Sequence, residues 1–138
     1  MRNIKVLPLT EVYLKETEKL DKISGNSVAE LLDSYEYAWG LFKNARLIGY
    51  CTLGYADNCC ELITSHKKYS YNSLLLSDVF IHPDYRGNNH SLYLINEAIK
   101  QANESCESVF LTLLDDNLSY LYKKCGFINI SSNIMIKI

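Results

Sequence analysis

The pattern that most constrains the fold of this chain is an apolar run that leads through a polar turn into an amphipathic stretch. Residues 74–81 are almost continuously apolar, as expected of a strand that is covered on both faces. Residues 82–88 are polar and contain Pro83 and Gly87, which favour a turn. Residues 89–103 carry apolar side chains at helical spacing on one stripe, which comprises Leu92, Ile95, Ala98, Ile99 and Ala102. The pattern predicts a buried strand, a tight turn and a helix.

The turn itself indicates a site for an anion. A turn between a strand and a helix leaves several backbone N–H groups without partners, and the helix dipole adds partial positive charge there. A pyrophosphate is the natural occupant of such a position. Arg86 can add a charge-assisted hydrogen bond to it. Taken alone, the same residues also fit an ordinary helix N-terminus with a solvated arginine.

The rest of the chain predicts further strands and helices around this unit. Strands are expected over residues 3–7, 36–42, 47–55, 109–114, 127–130 and 134–138, with a hairpin turn at residues 43–46. Helices are expected over residues 10–22, over residues 27–32 from the capping-box pattern of Ser27 and Glu30, and near residues 118–125 before Gly126. Residues 57–73 show no clear period and are expected to be irregular. This order predicts a single α/β (α+β) domain with a mixed sheet over residues 1–138.

Composition and charge indicate which classes of binding partner are not expected for this chain. The 138 residues are 48% hydrophobic and 22% charged, which is ordinary for a globular domain. Lys and Arg number 14 against 16 Asp and Glu, and no basic run is present, so nucleic acid is not expected as a partner. No segment approaches the ~20 apolar residues of a membrane helix, and the first residues do not resemble a signal peptide. We therefore expect a cytoplasmic protein with no membrane partner, and the sequence leaves a homodimer open.

The cysteines do not indicate a metal site. They are Cys51, Cys59, Cys60, Cys106 and Cys125, an odd number whose spacing matches no zinc-binding pattern. We therefore expect no metal, and we interpret all five as free buried thiols.

Two segments together resemble the GNAT superfamily of N-acyltransferases. Residues 79–91 are similar to the family's acetyl-CoA motif, in which a strand is followed by His-Pro-x-Tyr-Arg-Gly and a glycine-containing loop. Leu-Tyr-Lys-Lys-Cys-Gly-Phe at residues 121–127 is similar to the end of the family's late helix, and residues 113–115 are similar to its late strand. The resemblance covers residues 74–127, and the residues before them agree only in element order. It implies a mixed, mostly antiparallel sheet with a central parallel strand pair, flanked by about four helices.

The resemblance also implies acetyl-CoA as the cosubstrate. The residues expected to bind it are Val79, Phe80, Ile81, Arg86, Gly87, Asn88, Asn89, His90 and Ser91, together with Asp115 and Asn117. Two glycines of the family's loop are replaced here, by Asn89 and Ser91. Asparagine tolerates positive φ better than most residues, so Asn89 is expected to adopt it. Ser91 is small and can donate its hydroxyl to a phosphate. Which of Asp115 and Asn117 contacts coenzyme A stays open.

The implied chemistry is direct attack of an amine on the thioester, with two proton transfers. Tyr122 matches the family's general acid, and its alternative role is that of a core tyrosine. Asp78 is the best candidate for the base because it is a lone carboxylate in an apolar strand, where burial favours the neutral form. A structural aspartate and a water chain are the alternatives. Strand alternation predicts that Ser77 and Asp78 point to opposite faces, so that only one of them faces the substrate.

Three further residues near these motifs are not expected to carry the chemistry. His82 and His90 flank the phosphate loop, where a surface position or a phosphate contact is expected. Cys125 lies close to Tyr122 in sequence and is interpreted as a packing residue, since only two neighbouring lysines would lower its pKa.

The acceptor is the least determined part of the prediction. The resemblance places it beside the early helices and a hairpin, where acidic and aromatic side chains suit a cationic amine. The candidates are Glu30, Asp33, Tyr35, Glu36, Tyr37 and Trp39. We expect an N-acetyltransferase that acts on a primary amine of a small molecule. The alternatives are a protein N-terminal or lysine acetyltransferase, a catalytically inactive acyl-CoA sensor, and an unrelated nucleotide-binding protein that shares only the strand, turn and helix.

Overall fold

The computed structural model describes residues 3–10, 14–25, 27, 30, 37–55, 73–87, 89–102, 108–112, 118–131 and 134–137. The strands are β1 (Ile4–Pro8), β2 (Tyr37–Lys43), β3 (Arg46–Tyr55), β4 (Ser73–Ile81), β5 (Ser108–Thr112), β6 (Ile128–Ser131) and β7 (Ile134–Lys137). The α-helices are α1 (Leu14–Ser24), α2 (His90–Ala102) and α3 (Ser119–Lys124). One turn of 3-10 helix, Pro83–Tyr85, lies between β4 and α2. Within these ranges, no helix has the length and apolar character that a bilayer crossing requires.

All the described strands belong to one sheet, in the order β1-β2-β3-β4-β5-β7-β6. The pairs β1–β2, β2–β3, β3–β4, β5–β7 and β6–β7 are antiparallel. The pair β4–β5 is parallel and lies in the middle of the sheet. This confirms the predicted mixed sheet with a central parallel strand pair.

The predicted elements agree with the structure to within two residues at both ends of every strand, of α2 and of α3. The described residues hold three α-helices where about four were predicted. Most of the predicted helix over residues 27–32 lies outside them, although the Ser27 hydroxyl accepts a hydrogen bond of 3.4 Å from the Glu30 N–H, as a capping box requires. The irregular stretch predicted for residues 57–73 also lies outside, except that β4 already begins at Ser73.

A tight hairpin turn sets the register between β2 and β3. Lys43 pairs with Arg46, so the loop has two residues, Asn44 and Ala45. Both have positive φ, at 52° and 67°. Two such residues form a type I′ turn, whose twist matches that of the strands. A bulge between Leu41 and Phe42 then shifts the pairing, so that Phe42 lies opposite Leu47 and Leu41 lies opposite Gly49.

The sheet buries apolar side chains on both faces, and one helix covers each face. Helix α2 packs on one face with a stripe of buried residues, Leu94, Ile95, Ala98, Ile99 and Ala102. Helix α1 packs on the other face through Leu20, which is 1% exposed. Alternate residues of β2 serve the two clusters: Trp39 and Leu41 face α2, and Ala38 and Phe42 face α1. The described elements therefore form three layers, with helices on both faces of one sheet.

One buried polar group in this core gives a stability prediction. The Tyr50 side chain is 1% exposed, and its hydroxyl has no hydrogen-bond partner within the part of the chain that the structure describes. Because a buried hydroxyl without a partner costs about 1–3 kcal/mol, Tyr50→Phe is expected to raise the free energy of unfolding by about 1 kcal/mol. Urea denaturation measures this change. Tyr93→Phe is the control, since Tyr93 is 41% exposed and its hydroxyl meets water. A loss of stability in Tyr50→Phe would contradict the prediction.

Candidate active site

Strand β4 contains a β-bulge at its centre. Tyr50 pairs with Phe80, but the next paired residue of β3, Thr52, lies opposite Ser77. Two residues of β4, Asp78 and Val79, therefore face a single residue of β3. Asp78 has a φ of 52°, in the left-handed region. Such a bulge bends the strand and re-aims its side chains.

The bulge overturns the prediction that strand alternation separates Ser77 from Asp78. The Thr52 hydroxyl oxygen lies 2.9 Å from the Ser77 hydroxyl and 3.2 Å from Oδ2 of Asp78. Both side chains also line the same cavity. The alternation rule holds for regular strand geometry, and the left-handed residue interrupts it. Ser77 and Asp78 thus belong to one site.

The cavity lies where β4 and β5 separate. Their parallel pairing joins Ser73 to Ser108 and ends at Leu75 and Phe110. Beyond this point a cavity of about 320 Å³ opens, lined by Leu75, Leu76, Ser77, Asp78, Val79, Leu111, Thr112, Leu118 and Tyr122. Such a separation suits a ligand, since ligands of α/β sheets bind at the carboxyl ends of parallel strands.

The opening also corrects the view of β4 as a strand covered along its whole length. Leu74, Leu76 and Ile81 are buried, whereas the four residues 77–80 between them are half-buried. Asp78 is therefore less enclosed than its apolar neighbours in sequence suggested. The same half-buried stretch contains Val79 and Phe80, so the strand presents side chains and backbone to the cavity over these positions.

Tyr122 reaches the cavity from the last turn of α3, and the end of this helix fixes its position. The Phe127 N–H donates to the Tyr122 carbonyl at 3.0 Å, and the Gly126 N–H donates to the Lys123 carbonyl at 3.0 Å. This pair of bonds is a Schellman motif, which requires positive φ at Gly126, observed at 96°. The apolar contact that accompanies the motif is the edge-on packing of the Tyr122 and Phe127 rings, whose centroids are 6.0 Å apart. The helix-end sequence therefore orients Tyr122.

A lysine from β7 supports the same helix end. The Lys137 ammonium donates a hydrogen bond of 2.6 Å to the carbonyl of Cys125, which caps α3. A cation at this end also interacts favourably with the helix dipole. Gly126 leaves room for the lysine, because a Cβ there would lie 3.3 Å from Cε of Lys137.

The surroundings of Tyr122 keep its phenol protonated. Burial raises the pKa of Tyr122 above its ordinary value, and the thiols of Cys125 and Cys51 act in the same direction. Burial raises the pKa of Cys51 to about 12. It also raises the pKa of Cys125, although Lys137 opposes the change. At neutral pH all three groups hold their protons, so Tyr122 can donate one and neither thiol is a nucleophile. Both cysteines are free and buried, as predicted, and the other three lie outside the described residues.

At the other end of β4 the chain forms the predicted turn before α2. Gly87 has a φ of 87° and Asn89 has a φ of 60°. The Asn89 carbonyl accepts a helical hydrogen bond from the Tyr93 N–H at 3.1 Å. His90 and Ser91 lie in the first turn of α2, where backbone N–H groups have no partner within the helix. The positive φ predicted for Asn89 is confirmed, and the turn fits an anion.

Arg86 is held at this turn by two contacts. Its Nε donates to the Ile81 carbonyl at 2.9 Å, and its guanidinium carbon lies 5.5 Å from the centroid of the Phe80 ring. Neither contact uses the two terminal nitrogens of the guanidinium. The side chain is therefore oriented, while its outer donors stay available for an anionic group.

The rings of the two histidines at the turn form hydrogen bonds with backbone groups of the same turn. The His90 ring is 5% exposed, and its Nδ1 lies 2.6 Å from the Tyr85 carbonyl oxygen. This corrects the expected surface position of the His90 ring, and the expected phosphate contact stays a prediction. Nδ1 of His82 accepts a hydrogen bond of 3.1 Å from the Asp84 N–H and so caps the 3-10 helix. Of the other candidates for coenzyme binding, Asn88, Asp115 and Asn117 lie outside the described residues.

The conformation of Asn89 leads to a binding prediction. Asn89→Gly is expected to bind acetyl-CoA at least as tightly as the wild type, because glycine adopts positive φ without cost. Asn89→Val is expected to weaken binding by about tenfold or more, because a β-branched residue strongly resists this region. Calorimetry on the two variants measures the difference. Equal affinities for the Gly and Val variants would show that the loop does not hold the ligand through this conformation.

The acceptor residues predicted from the sequence are only partly placed by the structure. Trp39 is 4% exposed and donates a hydrogen bond of 2.8 Å from Nε1 to Oε1 of Gln101. It therefore belongs to the core under α2, which corrects its assignment to a cleft. Tyr37 is half-buried and packs on Trp39 at 5.6 Å between ring centroids. Glu30 is exposed, and Asp33, Tyr35 and Glu36 lie outside the described residues.

One residue of the site was missed entirely by sequence reasoning. Thr52 is 0% exposed and contacts Ser77 and Asp78. A threonine within an apolar strand is ordinary, because β-branched residues favour strands. The pairing of β3 with β4 places Thr52 opposite Ser77, and no local signal gives that pairing, because residues 56–72 separate the two strands in sequence.

Comparison with known proteins agrees with this architecture. Residues 1–127 match the model of the family described as Acetyltransferase (GNAT) family. The chain is similar to Escherichia coli YhbS, a GNAT family N-acetyltransferase solved in complex with CoA, with 12% identity, a TM-score of 0.73 and coverage of 99% of this chain and 82% of that one. It is also similar to Arabidopsis thaliana NAA60 in complex with acetyl-CoA, with 16% identity, a TM-score of 0.73 and coverage of 96% and 97%.

A third similar structure is a spermidine N-acetyltransferase, a chimera of Vibrio cholerae SpeG and hSSAT. It has 17% identity, a TM-score of 0.68 and coverage of 99% of this chain and 95% of that one. At such low identity these likenesses show the fold alone. A search of the curated proteins found no match.

Proposed function

We propose, since this chain belongs to the GNAT family of acetyltransferases, that it transfers the acetyl group of acetyl-CoA to a primary amine of a small molecule by direct attack. The observation that carries the proposal is the cavity between β4 and β5. Asp78 and Tyr122 line it together, and β4 leads from it to the anion-binding turn before α2. A single extended ligand with a thioester at one end and a pyrophosphate along its length fits this arrangement.

The residues of β4 and of the turn would hold acetyl-CoA. Backbone groups of residues 79–81 would bind the pantetheine arm, which can lie along the strand where it leaves β5. The N–H groups at the start of α2 and the outer nitrogens of Arg86 would bind the pyrophosphate. Asn88, Asp115 and Asn117 stay proposed ligands of the coenzyme.

The reaction needs an acid and a base, and the cavity supplies a candidate for each. The amine nitrogen forms a bond to the thioester carbon, and the bond from that carbon to sulfur breaks. Asp78, directly or through water, would take the proton that the ammonium must lose before it can attack. The nitrogen would lose its second proton to solvent as the amide forms, while Tyr122 would give its proton to the departing thiolate and recover one from solvent. No covalent intermediate on the protein is required.

Charge supports a cationic acceptor. Asp78 is the one formally anionic residue among the described residues that line the cavity, whose other members are mostly apolar. Spermidine, the substrate named for one similar structure, is a small cationic amine. A small cation matches a cavity of about 320 Å³. A protein N-terminus or lysine is the alternative acceptor.

A screen of acceptors tests the proposed function. Release of free coenzyme A from acetyl-CoA is followed with a thiol reagent across polyamines, aminoglycosides, amino acids and peptides with free N-termini. We expect turnover with at least one small amine. Turnover only with peptides would replace the small-molecule acceptor by a protein. Tight acetyl-CoA binding without turnover on any amine would favour the inactive sensor.

A further inference from the structure

We infer that Thr52 is a positioning residue for the reaction, which holds Asp78 in place to receive the proton of the incoming ammonium. The inference rests on the proposed function and extends it to a residue on the neighbouring strand. Thr52 belongs to β3, and it contacts β4 at the bulge that brings Ser77 and Asp78 into the cavity.

The contacts of Thr52 define a small hydrogen-bond network. Its Oγ1 lies 3.2 Å from Oδ2 of Asp78, 3.1 Å from the Ser77 carbonyl oxygen and 2.9 Å from the Ser77 hydroxyl. The Thr52 hydroxyl has only one proton to donate. A charged carboxylate is the strongest of these acceptors, so Thr52 donates to Asp78 while Asp78 is ionised. The Ser77 hydroxyl then donates to Thr52.

The network also has a satisfied arrangement after proton transfer. When the ammonium has given its proton to Asp78, the carboxyl group is neutral and becomes a weaker acceptor. The Thr52 hydroxyl can then rotate to the Ser77 carbonyl oxygen, which lies at a similar distance. Thr52 is 0% exposed, so its hydroxyl proton needs a protein acceptor, and the Ser77 carbonyl and hydroxyl oxygens are both within reach. The Thr52 hydroxyl therefore has an acceptor both when Asp78 is ionised and when it is neutral.

The position of the network explains why Asp78 depends on it. Asp78 has a φ of 52°, which a residue other than glycine adopts only when its surroundings enforce it. Oγ1 of Thr52 lies within hydrogen-bond distance of the Asp78 carboxylate and of the carbonyl that precedes it, and its single proton bonds one of them at a time. While Asp78 is ionised, the bond to Oδ2 holds the carboxylate in place. A single hydroxyl thus sets the direction in which the base faces the cavity.

The titratable groups around Asp78 are few. Among the described residues that line the cavity, Tyr122 from α3 is the other titratable group. Cys51 on β3 and Cys125 after α3 lie near Tyr122, and both remain protonated because burial raises their pKa. The acceptor amine titrates as well, so the wild type and the variants are compared with the same amine, and a difference between their profiles then arises in the enzyme.

The test compares Thr52→Val, which removes the hydroxyl at nearly constant volume, with Thr52→Ser, which retains it. For Thr52→Val we expect kcat to fall about 10- to 100-fold, the range for loss of one hydrogen bond to a charged group, with the KM for acetyl-CoA unchanged. The acidic limb of kcat/KM should move to higher pH, because the carboxylate loses a bond that stabilises its charged form. Thr52→Ser should restore kcat to within about threefold of the wild type.

Thr17→Val is the matched control, since Thr17 is 1% exposed on α1 and lies outside the cavity. It should leave kcat and the pH profile unchanged. In a double-mutant cycle, Thr52→Val should cost little further activity once Asp78→Asn is present. If Thr52→Val does not fold, Thr52→Cys replaces it, because a thiol is a weak donor of similar size.

The inference would be overturned if the effects of Thr52→Val and Asp78→Asn on kcat were additive, or if Thr52→Val left the acidic limb unshifted, in a wild-type background that turns over. A wild-type protein that acetylates no amine would instead refute the proposed function. The two failures are therefore distinguishable.

Discussion

Tyr122→Phe is expected to lower turnover by about 10- to 10³-fold while the affinity for acetyl-CoA stays nearly unchanged. The variant loses only the hydroxyl that would protonate the thiolate. The phenylalanine ring keeps the edge-on contact with Phe127 and the backbone bond that ends α3, so the fold should be retained. Steady-state kinetics with the amine found in the acceptor screen, together with calorimetry of acetyl-CoA binding, measure the two effects.

Tyr120→Phe is the matched control for this prediction. Tyr120 lies on the same helix but is 63% exposed and does not line the cavity. Loss of the Tyr120 hydroxyl should leave turnover unchanged. A Tyr122→Phe variant that works at the wild-type rate would show that Tyr122 is a core residue and that the thiolate takes its proton from water.

The pKa of Tyr122 adds a pH dependence to the same account. Burial raises this pKa above its ordinary value of about 10, and the acid must be protonated to act. Loss of the Tyr122 proton would therefore reduce activity only above about pH 10. A decline of kcat that disappears in Tyr122→Phe but lies well below that pH would contradict the assignment.

Arg86→Ala is expected to weaken acetyl-CoA binding by about 1.5–3 kcal/mol, which is roughly 10- to 150-fold in Kd. The guanidinium is already oriented by the Ile81 carbonyl and the Phe80 ring, so little freedom is lost when its outer nitrogens meet a phosphate. The loss should shrink at high salt because the interaction is between charges.

Two control variants separate the specific role of Arg86 in binding from the effect of a positive charge in general. Arg46→Ala removes an arginine at the β2–β3 hairpin and should leave the affinity nearly unchanged. Arg86→Lys keeps the charge but replaces the planar donor that binds the Ile81 carbonyl, so it should restore only part of the affinity. Full affinity in Arg86→Ala would show that the pyrophosphate does not bind at this turn.

The sequence predicted the elements of this fold well because local signals agree with the tertiary arrangement. Three local signals each indicate a single type of element. The apolar run of β4 indicates a strand, the amphipathic stripe of α2 indicates a helix, and Gly126 indicates the end of α3. The positive φ of Asn89 was also predictable, because its position in the loop requires a residue that tolerates that region.

The details of the site were harder to predict because they depend on contacts between distant residues. Alternation along β4 separates Ser77 from Asp78, and only the pairing with β3 reveals the bulge. Trp39 seemed suited to a cleft by residue type, but its indole finds a partner in Gln101, 62 positions away. The burial of the His90 ring was not predicted, because nothing local indicates that the ring folds back on the Tyr85 carbonyl.

The proposed function requires that the β4–β5 cavity and the turn before α2 form one site for acetyl-CoA. Calorimetric titration of the wild-type protein with acetyl-CoA, and separately with ATP, tests this requirement. We expect one acetyl-CoA bound per chain with micromolar affinity, and much weaker binding of ATP, which has the phosphates but lacks the pantetheine arm that β4 would hold. No binding of acetyl-CoA at millimolar concentration, or equal affinity for the two ligands, would contradict it.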